Sequence, residues 1–493
     1  MIPDCPNAGP LLMVDIPGPT LDADTAEHLR RHRIRAVCLF RKNIENETQL
    51  RQLTRDLRAV MGEGALIAVD QEGGCVVRTS FLPYPPSAMS LGAGGDADLS
   101  ERIGASTARA LKALGINWNF APVLDLNVNP KNPVIGDRAF GSDPEAATTL
   151  ALAWLRGSLR EGVAGCVKHF PGHGDTHVDS HHALPTVDKS RATLETNEFV
   201  PFRRAVQHAD VPAVMTAHIT YPALDAARPA TLSRAVLTGL LRDEWNYDGV
   251  IITDSMGMKA IDDSHGRGEA AVMALEAGAD MVMALGRRGA QEETLQRVEA
   301  ALHEGRVTSA AALRRLGALA ARYPARVGEY TRDAREQDAA VMREAWTRGL
   351  TTHRHPIFPP RGARVTLIAV QDVPGETVSE AGVSGATLAA RLASLYDLDT
   401  HLVTDPEGVD WDALRATGRS LILATTTRHR HPGWRTARPD LHLALWNPYA
   451  VLDVQAPALI AFGYRPEALD AVTACLAGTT EARGTLPFAI TEA

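Results

Sequence analysis

The chain is poor in the features that mark several common classes of protein. Its five cysteines (Cys5, Cys38, Cys75, Cys166 and Cys475) are scattered, odd in number and never spaced as CxxC, so a disulfide framework is a poor fit and the thiols read as reduced. No run approaches the ~18 apolar residues of a membrane span. The N-terminus has no basic region, carries Asp4 and Asp15 around a short apolar patch, and offers no apolar segment ahead of Cys5, which fits neither a signal peptide nor a lipid anchor. A cytoplasmic location is therefore expected. Positive charge is not in excess: the formal net charge is −8 and the pI lies near 6.1, so neither nucleic acid nor an anionic membrane is an expected partner. A GxGxxG turn is absent, as are low-complexity segments and short tandem repeats, which removes the usual nucleotide fingerprint. Lysine is scarce beside arginine.

What remains is the composition of a soluble globular protein, 45% hydrophobic and 22% charged over 493 residues, long enough for one large domain and a smaller partner. Eight short apolar runs lie at 11–16, 36–40, 65–69, 118–124, 165–167, 213–216, 250–253 and 280–284. Helical patterning follows them, for example at 47–61, 99–114, 145–160, 195–208 and 266–277. This alternation predicts an α/β fold whose first part, 1–330, is a TIM-like (β/α)8 barrel. An amphipathic helix near 332–348 and a proline-bearing stretch at 351–364 predict a connection over 331–363. Renewed apolar runs at 365–370, 401–403, 421–424, 441–445 and 458–462 then predict a smaller α/β sandwich domain, 364–493, with a mostly parallel sheet.

The chemistry concentrates in residues 168–182, Lys-His-Phe-Pro-Gly-His-Gly-Asp-Thr-His-Val-Asp-Ser-His-His. Histidines recurring every four residues would line one face of a helix and suit a metal. Pro171, Gly172 and Gly174 make a continuous helix there unfavourable, so the segment reads as a loop. A zinc-binding loop and a merely solvated one both remain readings of it. A third pairs Asp179 with His181, the carboxylate holding one ring nitrogen and leaving the other for proton transfer. In a βα barrel the site lies where strands end, and polar residues end nearly every run: Asp15, Arg41 and Asn43, Asp70 with Glu72, Asp125 with Asn127, Lys168 with His169, His218, and Asp254. Any one of them could instead be a helix cap.

Four blocks carry a family resemblance: Asp70-Gln-Glu-Gly-Gly-Cys-Val-Val-Arg78; Ala121-Pro-Val-Leu-Asp-Leu126 with Ile135-Gly-Asp-Arg-Ala-Phe-Gly141; Lys168-His-Phe-Pro-Gly-His-Gly-Asp-Thr176 through Asp179-Ser-His181; and Ile252-Thr-Asp-Ser-Met256. Together they resemble glycoside hydrolase family 3, in its β-N-acetylglucosaminidase (NagZ-type) branch, and the closing Gly484-Thr-Leu-Pro-Phe resembles the end of that family's second domain. The resemblance implies a retaining exo-acting hydrolase that removes terminal N-acetylglucosamine from small oligosaccharides or muropeptides, with no metal and no organic cofactor. It assigns the nucleophile to Asp254 and the acid/base to His181, oriented by Asp179. Asp70, Arg78, Arg138, Lys168 and His169 match positions that hold the sugar. His181, on a glycine-containing loop, is expected to move into place when substrate binds.

Several readings stay open at this point. Arg78 and Arg138 could be held in structural ion pairs with neighbouring acids such as Asp137. Relatives commonly carry arginine where this chain has Cys75. A family 3 β-glucosidase or β-xylosidase would take its acid from a second-domain glutamate, for which Glu376, Glu380 and Glu407 are candidates. Phosphorolysis is compatible with an imidazole acid/base, which repels phosphate less than a carboxylate does. A metal-dependent barrel hydrolase and a non-catalytic sugar-binding protein belong to other classes. The sequence carries no sign of oligomeric state.

Overall fold

Strands buried on both faces read as unbroken apolar runs, and the eight runs of the first part become eight parallel strands. The computed structural model describes residues 7–180, 183–375 and 379–490. Its barrel strands are β1 (Leu12–Val14), β2 (Ala36–Leu39), β3 (Leu66–Val69), β4 (Trp118–Asn119), β5 (Ala164–Phe170), β6 (Ala213–Thr216), β7 (Val250–Ser255) and β8 (Met281–Met283). They pair in sequence order, and β8 closes on β1. Alternation sorts the side chains: Met13, Cys38, Ala68, Cys166, Met215 and Ile252 fill the barrel interior, while Leu12, Val37, Ile67, Val167, Val214 and Ile251 face the surrounding helices.

The structure departs from the sequence expectations in the following places, besides the far end of β5. The run 118–124 pairs as a strand only at Trp118–Asn119, because Pro122 has no N–H to give a ladder; the chain stays beside β5 through Cys166 N–H to Ala121 O (3.0 Å) and Leu124 N–H to Lys168 O (2.7 Å). The helix expected over 195–208 is two, Arg191–Thr196 and Phe199–His208, since Pro201 is tolerated only in a first turn. Thr351–His353, in the expected connecting stretch, is a strand pairing antiparallel with Ala458–Ile460.

The barrel helices used below are α1 (Ala97–Ala113) and α2 (Pro144–Glu161). They pack through glycines: a Cβ at Gly104 would stand 1.9 Å from the Trp154 carbonyl oxygen, and one at Gly157 2.0 Å from that of Glu101.

The second domain is a six-stranded sheet of β9 (Thr351–His353), β10 (Arg364–Val370), β11 (Asp397–Val403), β12 (Ser420–Thr425), β13 (Leu441–Ala444) and β14 (Ala458–Ile460), in the order β9-β14-β13-β12-β10-β11. All neighbours except β9 and β14 are parallel. One face, with Val365, Leu367 and Ala369, packs on Trp346, Leu388, Leu392 and Val472; the other, with Ile368, packs on Trp411, Trp434 and Val454. The first of these cores also takes in Cys75, Val76, Val77 and Tyr84. Three of these come from the small hairpin after β3, Gln71–Gly73 with Val76–Val77, and its turn, so the second domain is anchored beside the barrel mouth.

The glycine contact gives a stability prediction. Gly104→Ala should gain about 1 kcal/mol in helix propensity, but its methyl meets a backbone carbonyl that cannot rotate away, and overpacking of this kind costs about 1–3 kcal/mol. The net loss of up to about 2 kcal/mol should lower Tm in thermal unfolding by about 1–4 °C. A Tm at or above that of the parent chain would mean that α1 and α2 separate without penalty.

Candidate active site

Strand β5 runs past the apolar residues that announce it, to Phe170, so Lys168 and His169 stand on the strand itself at the barrel mouth. Lys168 is only 2% exposed. Its ammonium lies 2.7 Å from Asp70 Oδ1 and 2.5 Å from Glu72 Oε1. Glu72 also accepts two hydrogen bonds from Arg138, from Nε at 2.8 Å and Nη2 at 2.9 Å. Arg138 Nη2 lies 3.4 Å from His169 Nε2, and His169 Nδ1 lies 2.6 Å from Asp125 Oδ2. A guanidinium can only donate, so His169 Nε2 accepts and Nδ1 carries the proton that Asp125 receives. The result is one chain of alternating charge, Asp70–Lys168–Glu72–Arg138, ending in an imidazole of fixed tautomer.

Burial opposes charge on Glu72, Lys168 and Asp125, and their partners outweigh it. Desolvation pushes the Glu72 carboxyl up, but Arg138 and Lys168 hold it well below the usual carboxylate range. Desolvation disfavours the Lys168 ammonium, yet Asp70 and Glu72 raise it above its ordinary value. Asp125, also buried, ends lowered through His169 and His173. The partner of Arg138 is therefore Glu72, not the adjacent Asp137. Asp137 turns away: its Oδ1 accepts from Trp446 Nε1 (3.3 Å) and Cys75 Sγ (3.5 Å), while its Oδ2 is buried without a hydrogen bond. Burial pushes this carboxyl up to about 6, although Arg428 and Arg138 pull the other way.

The histidine-rich segment is a loop, and the rings of its described histidines take separate partners. His173 donates its backbone N–H to Asp125 (2.6 Å), and its ring bridges Thr176 Oγ1 and Ser180 Oγ, each at 2.9 Å. Burial pushes it down to about 4, so it is neutral near pH 7. His177 Nδ1 lies 3.1 Å from Asn129 Nδ2. Among the described residues no three His, Cys, Asp or Glu side chains gather as a metal site. Gly174 is required by close approach, since a Cβ there would fall 1.5 Å from Leu126 O. Asp179 is 9% exposed. His181 and His182 lie outside the described residues, and with them the expected Asp179–His181 pair.

Asp70, Arg78, Arg138, Lys168, His169 and Asp254 all line one cleft of about 990 Å³, as does Ser180; Phe120, Met215 and Met283 give it an apolar floor. Asp254 is on β7, half-buried, and Ser255 N–H donates to its Oδ1 at 2.7 Å. The next carbonyl is held from the neighbouring strand end: His218 Nε2 donates to Ser255 O (2.9 Å), and its Nδ1 lies 2.9 Å from Thr231 Oγ1. The second domain contributes Ser379 and Glu380 to the lining, and Glu380 Oε1 lies 3.0 Å from Arg78 Nη1. Glu407, in the turn Pro406–Gly408, is exposed and does not line the cleft, and Glu376 lies outside the described residues. Sequence reasoning named Glu72 and Asp125 only as strand-end residues, and Glu380 only as a rival acid.

Residues 7–317 match the family model described as the glycosyl hydrolase family 3 N terminal domain. The chain belongs to glycosyl hydrolase family 3. Among its relatives in the family, a beta-hexosaminidase of Chromobacterium violaceum is 42% identical over 283 residues, 56% of this chain and 78% of that one. Beta-hexosaminidase A of Pseudoalteromonas piscicida is 38% identical over 290 residues, 54% of this chain; the match spans about half of that relative, 48%. A solved family 3 beta-N-acetylglucosaminidase from Paenibacillus sp. superposes with a TM-score of 0.89 at 32% identity, covering 98% of each chain. The two-domain arrangement is thus a family 3 architecture.

Asp137 sets a pH-dependent stability. Its folded value, about 6, is above the 3.8 of an ordinary aspartate, so the stability of the neutral form is fully present below pH 3.8 and is lost as pH rises through about 6. Asp137→Asn should therefore stabilise the chain at pH 8 by about 1–3 kcal/mol relative to its effect at pH 4, in urea unfolding at both values. An equal effect at the two pH values would refute the assignment.

Proposed function

We propose that this family 3 member is a retaining exo-β-N-acetylglucosaminidase, acting in the cytoplasm on short β-linked glycosides that include peptidoglycan fragments, with no metal or organic cofactor. The observation that carries this reading is the convergence, in one cleft, of the half-buried Asp254 with the Asp70–Lys168–Glu72–Arg138 chain and His169. Directional charged groups in a concave cleft suit sugar hydroxyls and an N-acetyl group. The similarity over the full length to a beta-N-acetylglucosaminidase supports the choice of sugar.

In the proposed sequence of steps an Asp254 carboxylate oxygen attacks the anomeric carbon while the bond to the aglycone oxygen breaks. His181, oriented by Asp179, gives that oxygen its proton. The imidazole then takes a proton from water as the water attacks the same carbon and frees Asp254. An imidazole suits both steps because its ordinary pKa lies near neutrality.

The outer cleft supports the choice of aglycone. Arg41, Lys42, Lys259 and Arg267 line it, and of these Lys42 is balanced by Asp15 and Arg267 by Asp262. A rim of this kind favours a leaving group that carries a carboxylate, as a muropeptide does. One observation favours a second reading: Glu380, from the second domain, reaches the cleft, as the acid of a β-glucosidase-type member would. Its carboxylate is engaged with Arg78, which weighs against it as the proton donor.

The test is nitrophenol release from 4-nitrophenyl β-N-acetylglucosaminide beside the matching β-glucoside, with and without phosphate. Selective release from the first, unchanged by chelators, is expected, with N-acetylglucosamine and no sugar 1-phosphate as product. Asp254→Ala should lower kcat by about four orders of magnitude, the scale on which removing one member of a catalytic unit acts. Selective release from the glucoside, or sugar 1-phosphate in phosphate buffer, would replace the reading by the corresponding alternative.

A further inference from the structure

Arg78 and Glu380 are 302 residues apart in sequence and 3.0 Å apart in space. The arginine follows the hairpin at the barrel mouth, and the glutamate belongs to the second domain. Both line the cleft that holds Asp254 and Lys168.

Glu380 is held from three sides. Its backbone N–H donates to Cys75 O at 3.0 Å. Its carbonyl accepts from Tyr464 Oη at 3.0 Å, and the Tyr464 ring lies 4.5 Å from that of Trp446. Its carboxylate meets Arg78, with side-chain exposures of 21% and 8% for the two partners. A glutamate serving only to join the domains would not need to reach the cleft, because the shared apolar core already joins them.

We propose that Glu380 is a positioning residue for the glycone: through its ion pair it fixes the plane of the Arg78 guanidinium at the cleft wall, which makes the second domain part of the sugar site. The inference rests on the function proposed above. A guanidinium is a planar fork of five donors. The contact with Glu380 fixes one nitrogen and the burial of the Arg78 side chain restricts rotation about it, which together set the plane of the group, and a side chain held this way loses little freedom when a sugar binds. The carboxylate also offsets a largely buried positive charge, which would otherwise draw small anions into the place of a neutral sugar.

The test compares Glu380→Ala, the isosteric Glu380→Gln and Glu380→Asp with Arg78→Ala and the Arg78→Ala/Glu380→Ala double variant, each matched for thermal unfolding. The substrates are 4-nitrophenyl β-N-acetylglucosaminide and N,N′-diacetylchitobiose, whose leaving group is far poorer. Glu380→Ala and Glu380→Gln should raise KM by about tenfold on both substrates and change kcat by less than about threefold, the pattern of lost uniform binding. Glu380→Asp should recover part of the loss, phosphate should inhibit Glu380→Gln more strongly than the parent, and Glu380→Ala should add nothing in the Arg78→Ala background.

A loss that grows with the poorer leaving group would make Glu380 the acid and overturn the proposal. So would losses that multiply independently in the double variant, or an unchanged KM in a folded Glu380→Gln. A parent chain silent on the N-acetylglucosaminide would remove the underlying function and this inference with it. An active parent whose Glu380 variants behave as it does would remove this inference alone.

Discussion

The Glu72 carboxylate, buried between the Lys168 ammonium and the Arg138 guanidinium, is the interaction on which the rest of the site depends. Taking three charges out of water costs several kcal/mol for each ion, and only close, well-hydrogen-bonded geometry offsets it. Here the geometry is close because the groups come from successive strand ends: the hairpin after β3, the loop after β4, and β5 itself. Barrel closure brings these ends together, so the electrostatics of the mouth and the pairing of the strands support one another. Removing Glu72 would strip the buried Arg138 of the carboxylate that accepts from its Nε and Nη2, while Lys168 would keep only Asp70. With Asp70 added, two cations face two anions. This part of the cleft wall, above the apolar floor, is therefore strongly polar without a large net charge.

Much of this architecture was legible from the order of residues. Strands buried on both faces leave continuous apolar runs, and eight of them announce the barrel. The polar residue that closes each run marks the mouth, which is how Asp70, Lys168 and Asp254 could be placed before any coordinates. Pro122 and Pro201 explain two of the boundaries that moved. The far end of β5 was hidden for a different reason. Lys168 and His169 look like the start of a loop, because periodicity assigns charged residues to solvent, whereas at a barrel mouth the same residues continue the strand and find their counter-charges across it.

Pairing was the part that sequence could not show. Glu72 and Arg138 are 66 residues apart, Lys168 and Asp70 are 98 apart, and Arg78 and Glu380 are 302 apart. Local pattern carries no information about which acid meets which base at such separations. The neighbour in sequence, Asp137, was the natural partner to consider for Arg138, and the structure turns it to the opposite side. The histidine run illustrates the same limit. Its spacing invites a metal, but glycine and proline take the chain out of a helix, and the rings of His169, His173 and His177 then meet different partners.

Cys75, in the hairpin turn at the barrel mouth, shows how the mouth depends on groups from the second domain. A cation at this position would stand beside Asp137, whose carboxyl lies 3.5 Å from the Cys75 sulfur. With a neutral thiol in place, the largest compensating charge on Asp137 is Arg428 of the second domain, whose guanidinium also donates to Val134 O at 2.8 Å. Trp446, from the same domain, supplies a hydrogen bond to the carboxyl. The compensation is incomplete, since burial still raises Asp137 to about 6. The loop that carries Arg138 is thus steadied by second-domain groups on one side, while Glu72 holds Arg138 on the other. Loss of the second domain would expose Cys75, Val76 and Val77 and leave Asp137 without its hydrogen bond from Trp446. The barrel mouth of this chain therefore depends for its shape on residues that follow the barrel in sequence.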